Sequence, residues 1–187
     1  MFKNMDIFWH ELNAYKTEIQ NLHAEIERSL TNFGEVENLT HFSLGISNRA
    51  NLLVIGLCSL VEVFLYELAT HEEDINSFKI KDLNGSGLER LQTYLTRTGK
   101  VDFGRIPSWS TFKQIYVLRN ALVHSYGGLI DTSLIVKVEK AIKQLKIESA
   151  LVGSRRIRLT SEILLDFHKE IESLINDLKG GDARNRT

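Results

Sequence analysis

The chain of 187 residues contains very little cysteine and proline, with one residue of each. The lone Cys58 has no partner for an internal disulfide, and it lies inside the apolar segment LVIGLCSLVEVFL, so we expect a buried thiol in a reducing compartment. A single proline and twelve glycines leave few natural breaks, which favours long helices. The chain is long enough for one hydrophobic core and short for two.

A strong charge of one sign is also missing, since the formal net charge is −1. Residues 1–74 hold four Lys and Arg against twelve Asp and Glu, a balance of −8. Residues 131–158 hold seven Lys and Arg against three acids, a balance of +4. The basic segment is either a surface for an anionic partner or a solvated face without a partner.

No uninterrupted run of membrane length is present, because Glu62 and Glu67 divide the most apolar segment, Leu52–Leu68. The first residues, MFKNMDIFWHELNAY, carry acids and a histidine where a signal peptide has a basic start followed by an apolar block. We therefore expect a cytoplasmic protein that is neither exported nor anchored in a membrane.

Familiar cofactor and metal motifs are missing as well. The sequence has no GxGxxG or GxxxxGK[ST] loop to hold a phosphate, and no CxxC or HExxH pattern. A di-metal helical bundle requires Glu-x-x-His pairs, and the chain has none. The sequence thus predicts neither a metal nor a cofactor.

The chain does contain segments typical of helices: apolar residues recur at steps of three and four in the first and last of them, the second is apolar almost all round, and turn and capping residues separate the others. In chain order the predicted helices cover residues 6–30, 47–71, 87–98, 107 to the glycine pair at 127–128, 131–146, and 161–178. Ser47 is the expected N-cap of the second helix and Ser108 or Ser110 that of the fourth, while Asp131 and Thr160 or Ser161 cap the last two.

The fold class expected from these elements is all-α, a bundle of five to six helices around a central, buried second helix. The segment IESALVGSRRIRLT is short and rich in β-branched residues, which predicts a small β-hairpin within residues 147–159. Residues 1–179 form one expected domain, and residues 180–187 a loose tail. The predicted core includes Leu57, Leu60, Val61, Phe64, Leu65, Leu118, Leu122 and Leu174.

One decapeptide, LRNALVHSYG, places chemically useful side chains at the end of the predicted fourth helix. Asn120 and His124 lie about 40° apart on one helix face, and Arg119 lies about 140° from His124 but has a long side chain. An imidazole moves protons near neutral pH, a guanidinium binds a phosphate, and an amide orients either group. The alternative is a helix C-terminus at which Arg and His stabilise exposed carbonyls without further function.

Glu62 is the other polar residue of interest, because it interrupts the apolar second helix. It either faces solvent on a polar stripe with Asn51, Ser59 and Tyr66, or it binds Arg119, since a carboxylate in so apolar a segment needs a partner. The aromatic residues before the decapeptide have core spacing and are expected to pack rather than to stack on bases: Trp109, Phe112 and Tyr116.

The motif RNALVH resembles the Arg-x₄₋₆-His motif of the HEPN family (higher eukaryotes and prokaryotes nucleotide-binding domains). The helix ANLLVIGLCSLVEVFLYELA is also similar to the second core helix of that family. The resemblance implies that Arg119 and His124 are a catalytic pair and that Asn120 is the polar residue beside them. In the alternative in which Glu62 binds Arg119, Glu62 supports this pair. The resemblance also implies metal-independent RNA cleavage that leaves a 2′,3′-cyclic phosphate, in a homodimer with a composite active site.

On this interpretation the chain is an endoribonuclease of a toxin or phage-defence type, with an antitoxin or regulatory protein as a further partner. The basic segment then supplies RNA contacts through Lys137, Lys140, Arg155, Arg156 and Arg158. Two alternatives stay open. One is a non-catalytic HEPN-like module that binds a partner protein or a nucleotide, and the other is an unrelated bundle with a chance motif.

Overall fold

The structure is a computed structural model that describes residues 5–31, 39–85, 87–125, 127–153 and 155–184, with side chains between residues 6 and 179. Within these ranges the chain forms six α-helices and one two-stranded hairpin. The helices are α1 (Met5–Thr31), α2 (Leu39–Glu73), α3 (Gly87–Arg97), α4 (Pro107–Val123), α5 (Ile135–Leu145) and α6 (Ser161–Arg184). The strands β1 (Leu151–Val152) and β2 (Arg156–Ile157) pair antiparallel, with Leu151 opposite Ile157. The expected all-α bundle with a short hairpin is confirmed.

Helix α2 lies at the centre of the bundle and packs against α1, α3, α4 and α6. Its apolar residues occur almost all round the helix, so it buries side chains against several neighbours at once. The Phe64 ring, 2% exposed, lies with its centroid 5.1 Å from that of Phe8 on α1. Of the eight predicted core residues, Leu60 is half-buried and the other seven are buried.

Helix α2 is also the one helix in the described ranges that has the length and apolar composition to cross a membrane. Its most apolar 18-residue window has a mean hydropathy of 2.1, and 44% of that window is buried inside the bundle. A central helix of a globular core has the same composition, because it faces other helices in several directions.

Several helix ends differ from their expected positions. Helix α2 begins at Leu39, and Ser47, the expected N-cap, is a buried helical residue 4% exposed. Helix α4 has Ile106 as its N-cap and Pro107 at its first position, where proline needs no hydrogen-bond partner. Ser108, an expected cap, donates its hydroxyl to Asp177 on α6 at 2.8 Å instead.

The ends of the last two helices also differ in detail. Asp131 caps a short 3₁₀ turn, Thr132–Leu134, by accepting the Ser133 N–H at 2.8 Å, and α5 follows this turn. Helix α6 continues to Arg184, five residues beyond the predicted domain end at 179. The rest of the predicted tail, residues 185–187, lies outside the described residues.

Candidate functional site

The decapeptide lies where α4 ends, as its helical pattern predicts. Arg119 and Asn120 lie near the C-terminal end of α4, and His124 follows the helix as its C-cap with φ −100° and ψ 9°. The backbone N–H of His124 and the hydroxyl of Ser125 both donate to the carbonyl of Leu122, which closes the helix. The His124 side chain is exposed and hydrogen-bonds to no other side chain in the described ranges. The imidazole is therefore open to solvent.

The Arg119 guanidinium is held by two neighbours. Its Nη2 donates to Oε2 of Glu62 at 3.2 Å, and its Nη1 donates to Oδ1 of Asn120 at 3.0 Å. The Arg119 and Glu62 side chains are only 22% and 23% exposed, so solvent screens the ion pair weakly. The expectation that Glu62 faces solvent is wrong, and the alternative in which it binds Arg119 holds.

Tyr116 completes this cluster from one turn earlier on α4. Its hydroxyl donates to Oε1 of Glu62 at 2.6 Å, and its ring lies 5.3 Å from the guanidinium carbon of Arg119. Burial, followed by the hydrogen bond to the Glu62 carboxylate and the charge of that carboxylate, raises the pKa of Tyr116 to about 12. The phenol therefore stays protonated and fixes the carboxylate, which in turn fixes Arg119.

Cys58 lies on α2 beneath the same cluster and is fully buried. Burial raises the pKa of its thiol, and the nearby Arg119 charge opposes that rise. The expectation of a buried cysteine is confirmed. The aromatic residues of α4 also pack as expected, since Trp109 and Phe112 are 3% and 0% exposed, with ring centroids 5.6 Å apart.

A turn that contains Gly127 and Gly128 follows His124, and hydrogen bonds from the hairpin fix its position. Gly127 and Gly128 have φ of 54° and 79°, in the left-handed region that favours glycine. A Cβ atom on Gly128 would lie 2.5 Å from the Ile157 carbonyl oxygen, so the turn has no room for a side chain. Nη1 of Arg156 donates to the Gly127 carbonyl at 3.2 Å, and the Ile157 N–H donates to the Gly128 carbonyl at 2.9 Å. No sequence spacing links Arg156 to this turn.

The other predicted RNA contacts divide into two groups. Arg155 and Arg158 each donate to a backbone carbonyl, to that of Ile130 at 3.1 Å and that of Ser43 at 3.4 Å. Burial and the neighbouring Arg156 charge lower the pKa of Arg158. Lys137 and Lys140 are exposed on α5. The arginines of the hairpin therefore brace the fold, whereas the two lysines lie on its surface.

The site as a whole combines a half-buried cation, a neighbouring amide and an exposed imidazole. Glu62, Arg119 and Asn120 are in direct contact, while His124 lies one helical turn beyond Asn120. In the part of the chain that the structure describes, no group of three His, Cys, Asp or Glu residues could hold a metal ion. The arrangement suits the binding of an anion beside a group that transfers protons.

Comparison of the chain with family models, with curated proteins and with solved structures found no significant match.

Proposed function

We propose that the protein is a metal-independent endoribonuclease of the HEPN type. The observation that carries the proposal is the placement of Arg119, held by Glu62 at 3.2 Å and Asn120 at 3.0 Å, five residues before the exposed imidazole of His124 at the same end of α4. A fixed guanidinium stabilises the charge that develops on a phosphate in the transition state, and an imidazole transfers protons at neutral pH. RNA is the substrate that supplies its own nucleophile, the ribose 2′-OH.

The proposed reaction is an intramolecular transesterification. The 2′-oxygen forms a bond to phosphorus and loses its proton to a neutral imidazole. The bond from phosphorus to the 5′-oxygen breaks, and that oxygen takes a proton from a second imidazole in its charged form. One strand then ends in a 2′,3′-cyclic phosphate and the other in a 5′-hydroxyl. Arg119 binds the phosphate oxygens throughout.

The second imidazole comes from a second copy of the chain, because each copy contributes one histidine, His124, to the proposed site. Three exposed apolar residues support a homodimer with its axis near His124. They are Val123, which precedes His124, Leu129 after the glycine turn and Leu52 on α2, with 44%, 39% and 65% exposure, and we name them the proposed dimer patch. Asn51 lies beside the glycine turn, with its Nδ2 3.5 Å from the Cβ position of Gly128, which brings this part of α2 to the site.

The biological role that fits this chemistry is a cytoplasmic toxin or phage-defence effector. This part of the proposal rests on the resemblance of RNALVH and of α2 to the HEPN family. An uncontrolled ribonuclease damages its own cell, so a protein antitoxin or another regulatory partner belongs to the proposal.

The deciding experiment is RNA cleavage by purified protein variants. His124→Ala and Arg119→Ala each abolish cleavage and leave the helical circular dichroism spectrum nearly unchanged, because neither side chain belongs to the apolar core. Asn120→Ala has a milder effect, since its amide only orients Arg119. Cleavage persists in EDTA, yields a cyclic phosphate, and is blocked by a 2′-deoxy nucleotide at the scissile position.

Matched controls are His10→Ala on α1 and Arg97→Ala at the end of α3, which remove exposed residues of the same types far along the chain. Both controls keep wild-type cleavage. A His124→Ala protein that cuts RNA at the wild-type rate contradicts the proposal.

A second candidate function is a non-catalytic module that binds a partner protein or a nucleotide. The observation in its favour is that Glu62 already neutralises the Arg119 guanidinium, while His124 has no side-chain partner in the described ranges to orient it. A wild-type protein that forms the dimer and cleaves no RNA supports this candidate, and Arg119 and His124 are then part of a helix cap.

A further inference from the structure

A second polar feature lies beside the C-terminal half of α2, away from the decapeptide. It is a surface cavity of about 470 Å³ between α2, the segment after it and α3, which we name the α2–α3 cavity. Three basic side chains, those of Lys79, Lys81 and Arg90, line it together with the Tyr66 ring. None of these four residues belongs to the basic segment 131–158.

The residues that line the cavity carry three positive charges and two negative ones. The two carboxylates belong to Glu73 and Asp74, and the Glu73 carboxylate accepts the backbone N–H of Ile80. Lys79 and Arg90 are anchored through the backbone carbonyls of Glu73 and Gly85. Lys81 is exposed and makes no such bond in the described ranges. Two anchored cations and one exposed cation thus surround a space large enough for a nucleotide.

The cavity and the candidate site share the same pair of helices. Tyr66 lies one turn after Glu62 on α2, about 6 Å further along the helix axis. A Cβ atom on Gly87, the first residue of α3, would lie 3.6 Å from both Oε1 of Glu62 and the Tyr116 hydroxyl. Arg90 follows Gly87 by one turn on α3. Both helices therefore lead from the Glu62–Arg119 pair toward the cavity.

Tyr66 lies at the end of the cavity nearer to Glu62 along α2 and is 57% exposed. An exposed aromatic ring followed by cations is the arrangement that binds single-stranded nucleic acid, because every base has a π-face and every nucleotide has a phosphate. Tyr66 is also about 21 Å along α2 from Leu52 of the proposed dimer patch, so a second copy there leaves the ring open.

We propose that Tyr66 and the α2–α3 cavity form a binding track for single-stranded RNA that continues from the Arg119–His124 site. A base stacks on the Tyr66 ring, and the phosphates beyond it contact Lys81, Arg90 and Lys79. This inference rests on the proposed function. It adds that the strand on one side of the scissile phosphate runs along α2 and α3, independently of the basic segment.

The test measures binding without cleavage. Every variant is made in the His124→Ala background, and the affinity for a fluorescent single-stranded oligouridylate is measured by anisotropy over a range of salt concentrations. Tyr66→Ala raises the Kd by about 5- to 100-fold. Tyr66→Phe keeps the stacking face, so its Kd stays close to that of the His124→Ala parent protein. Lys81→Gln flattens the dependence of log K on log salt by about 0.7. Lys169→Gln, on α6, is the control and changes neither value.

The outcomes separate this inference from the proposed function. If RNA is cleaved by the wild type but Tyr66→Ala and Lys81→Gln bind like the parent, the track is wrong and the ribonuclease stands. If these variants weaken RNA binding but no RNA is cleaved, the track stands and the catalytic proposal fails. A parent protein that binds no oligouridylate overturns the track. A polyglutamate peptide that binds the cavity as tightly as RNA overturns it as well, because a peptide acid uses the cations alone.

Discussion

At the scale of single residues, Glu62 has the most unusual position, since it is a carboxylate on the central helix of the core. It accepts hydrogen bonds from Tyr116 at 2.6 Å and from Arg119 at 3.2 Å. A carboxylate that accepts two such hydrogen bonds is held in place, and it orients each partner in turn. The candidate site therefore begins at a side chain of the central helix α2 and extends to the exposed end of α4.

We predict that Glu62→Gln lowers the pKa of Tyr116 from about 12 toward its ordinary value of 10.0, while burial keeps it above that value. The pKa of the phenol is raised in the folded state, so its contribution to stability is present below pH 10 and is lost as the pH rises through about 12. Tyrosinate absorbance, taken as the difference between each protein and its Tyr116→Phe variant, measures this pKa. Equal values for Tyr116 with and without Glu62 contradict the prediction.

At the scale of elements, α2 packs against four other helices, which makes its core residues the sharpest test of the bundle. We predict that Phe64→Ala lowers the free energy of unfolding by about 3–5 kcal/mol, because it empties a site that is closed by α1 and α2. Urea unfolding followed by circular dichroism measures the change. Val63→Ala is the matched control on the same helix, since Val63 is 53% exposed, and its effect stays within about 1 kcal/mol. A near-neutral effect of Phe64→Ala means that α2 is not central.

The hairpin is the second element with a testable role. We predict that the triple change of Arg155, Arg156 and Arg158 to Gln weakens RNA binding and flattens its salt dependence. The log–log slope falls by about 0.7 for each phosphate that an arginine no longer neutralises, because fewer counterions are then released on binding. Affinity at several salt concentrations measures both effects.

The comparison for this test is the double change of Lys137 and Lys140 to Gln on α5. These lysines are exposed, whereas the arginines also hold backbone carbonyls. An arginine variant that loses cleavage but keeps its affinity and salt slope shows that the hairpin serves only to hold the turn after His124.

Much of the fold follows from the sequence, because apolar periodicity determines which segments become helices. The ends are harder to predict, since they depend on tertiary contacts. Ser47 has the residue type of an N-cap, but Leu39, Phe42 and Ile46 continue the apolar face and α2 begins eight residues earlier. Ile106, whose apolar side chain makes no capping bond, is the N-cap of α4, and Ser108 donates to Asp177 instead.

The candidate site follows from the sequence in part, for the same physical reasons. Helical spacing places Arg119, Asn120 and His124 near one another from the sequence alone. The orientation of Glu62 could not be predicted, because the few polar residues of this largely apolar helix are compatible either with a solvated stripe or with a partner on another helix. The contact between Arg156 and Gly127 joins residues 29 positions apart and depends on the hairpin register, which no local pattern encodes.

At the scale of the whole molecule, the proposed homodimer determines whether the site is complete. We predict that the wild type sediments as a dimer at micromolar concentration, and that Val123→Asp converts it to a monomer without cleavage activity. A charge placed in the proposed dimer patch loses its hydration when the two copies associate, which opposes assembly.

Val136→Asp is the control for this experiment, because Val136 is an apolar residue of α5 that is 76% exposed. This variant remains a dimer and remains active. A strictly monomeric wild type with full cleavage activity rejects the composite site and requires a single copy to supply both proton transfers.

The rate at which a thiol reagent labels the buried Cys58 measures how often the core beneath the site opens. Cys58 is the one thiol of the sequence, it is fully buried, and it lies directly beneath the Arg119–Glu62 pair. A thiol reagent reaches it only when α2 separates from its neighbours, so the labelling rate of the unmodified protein reports how often the base of the site opens. Bound RNA, or a partner protein, that stabilises the closed bundle lowers the labelling rate of Cys58. This rate therefore reports whether the site is occupied, without any mutation.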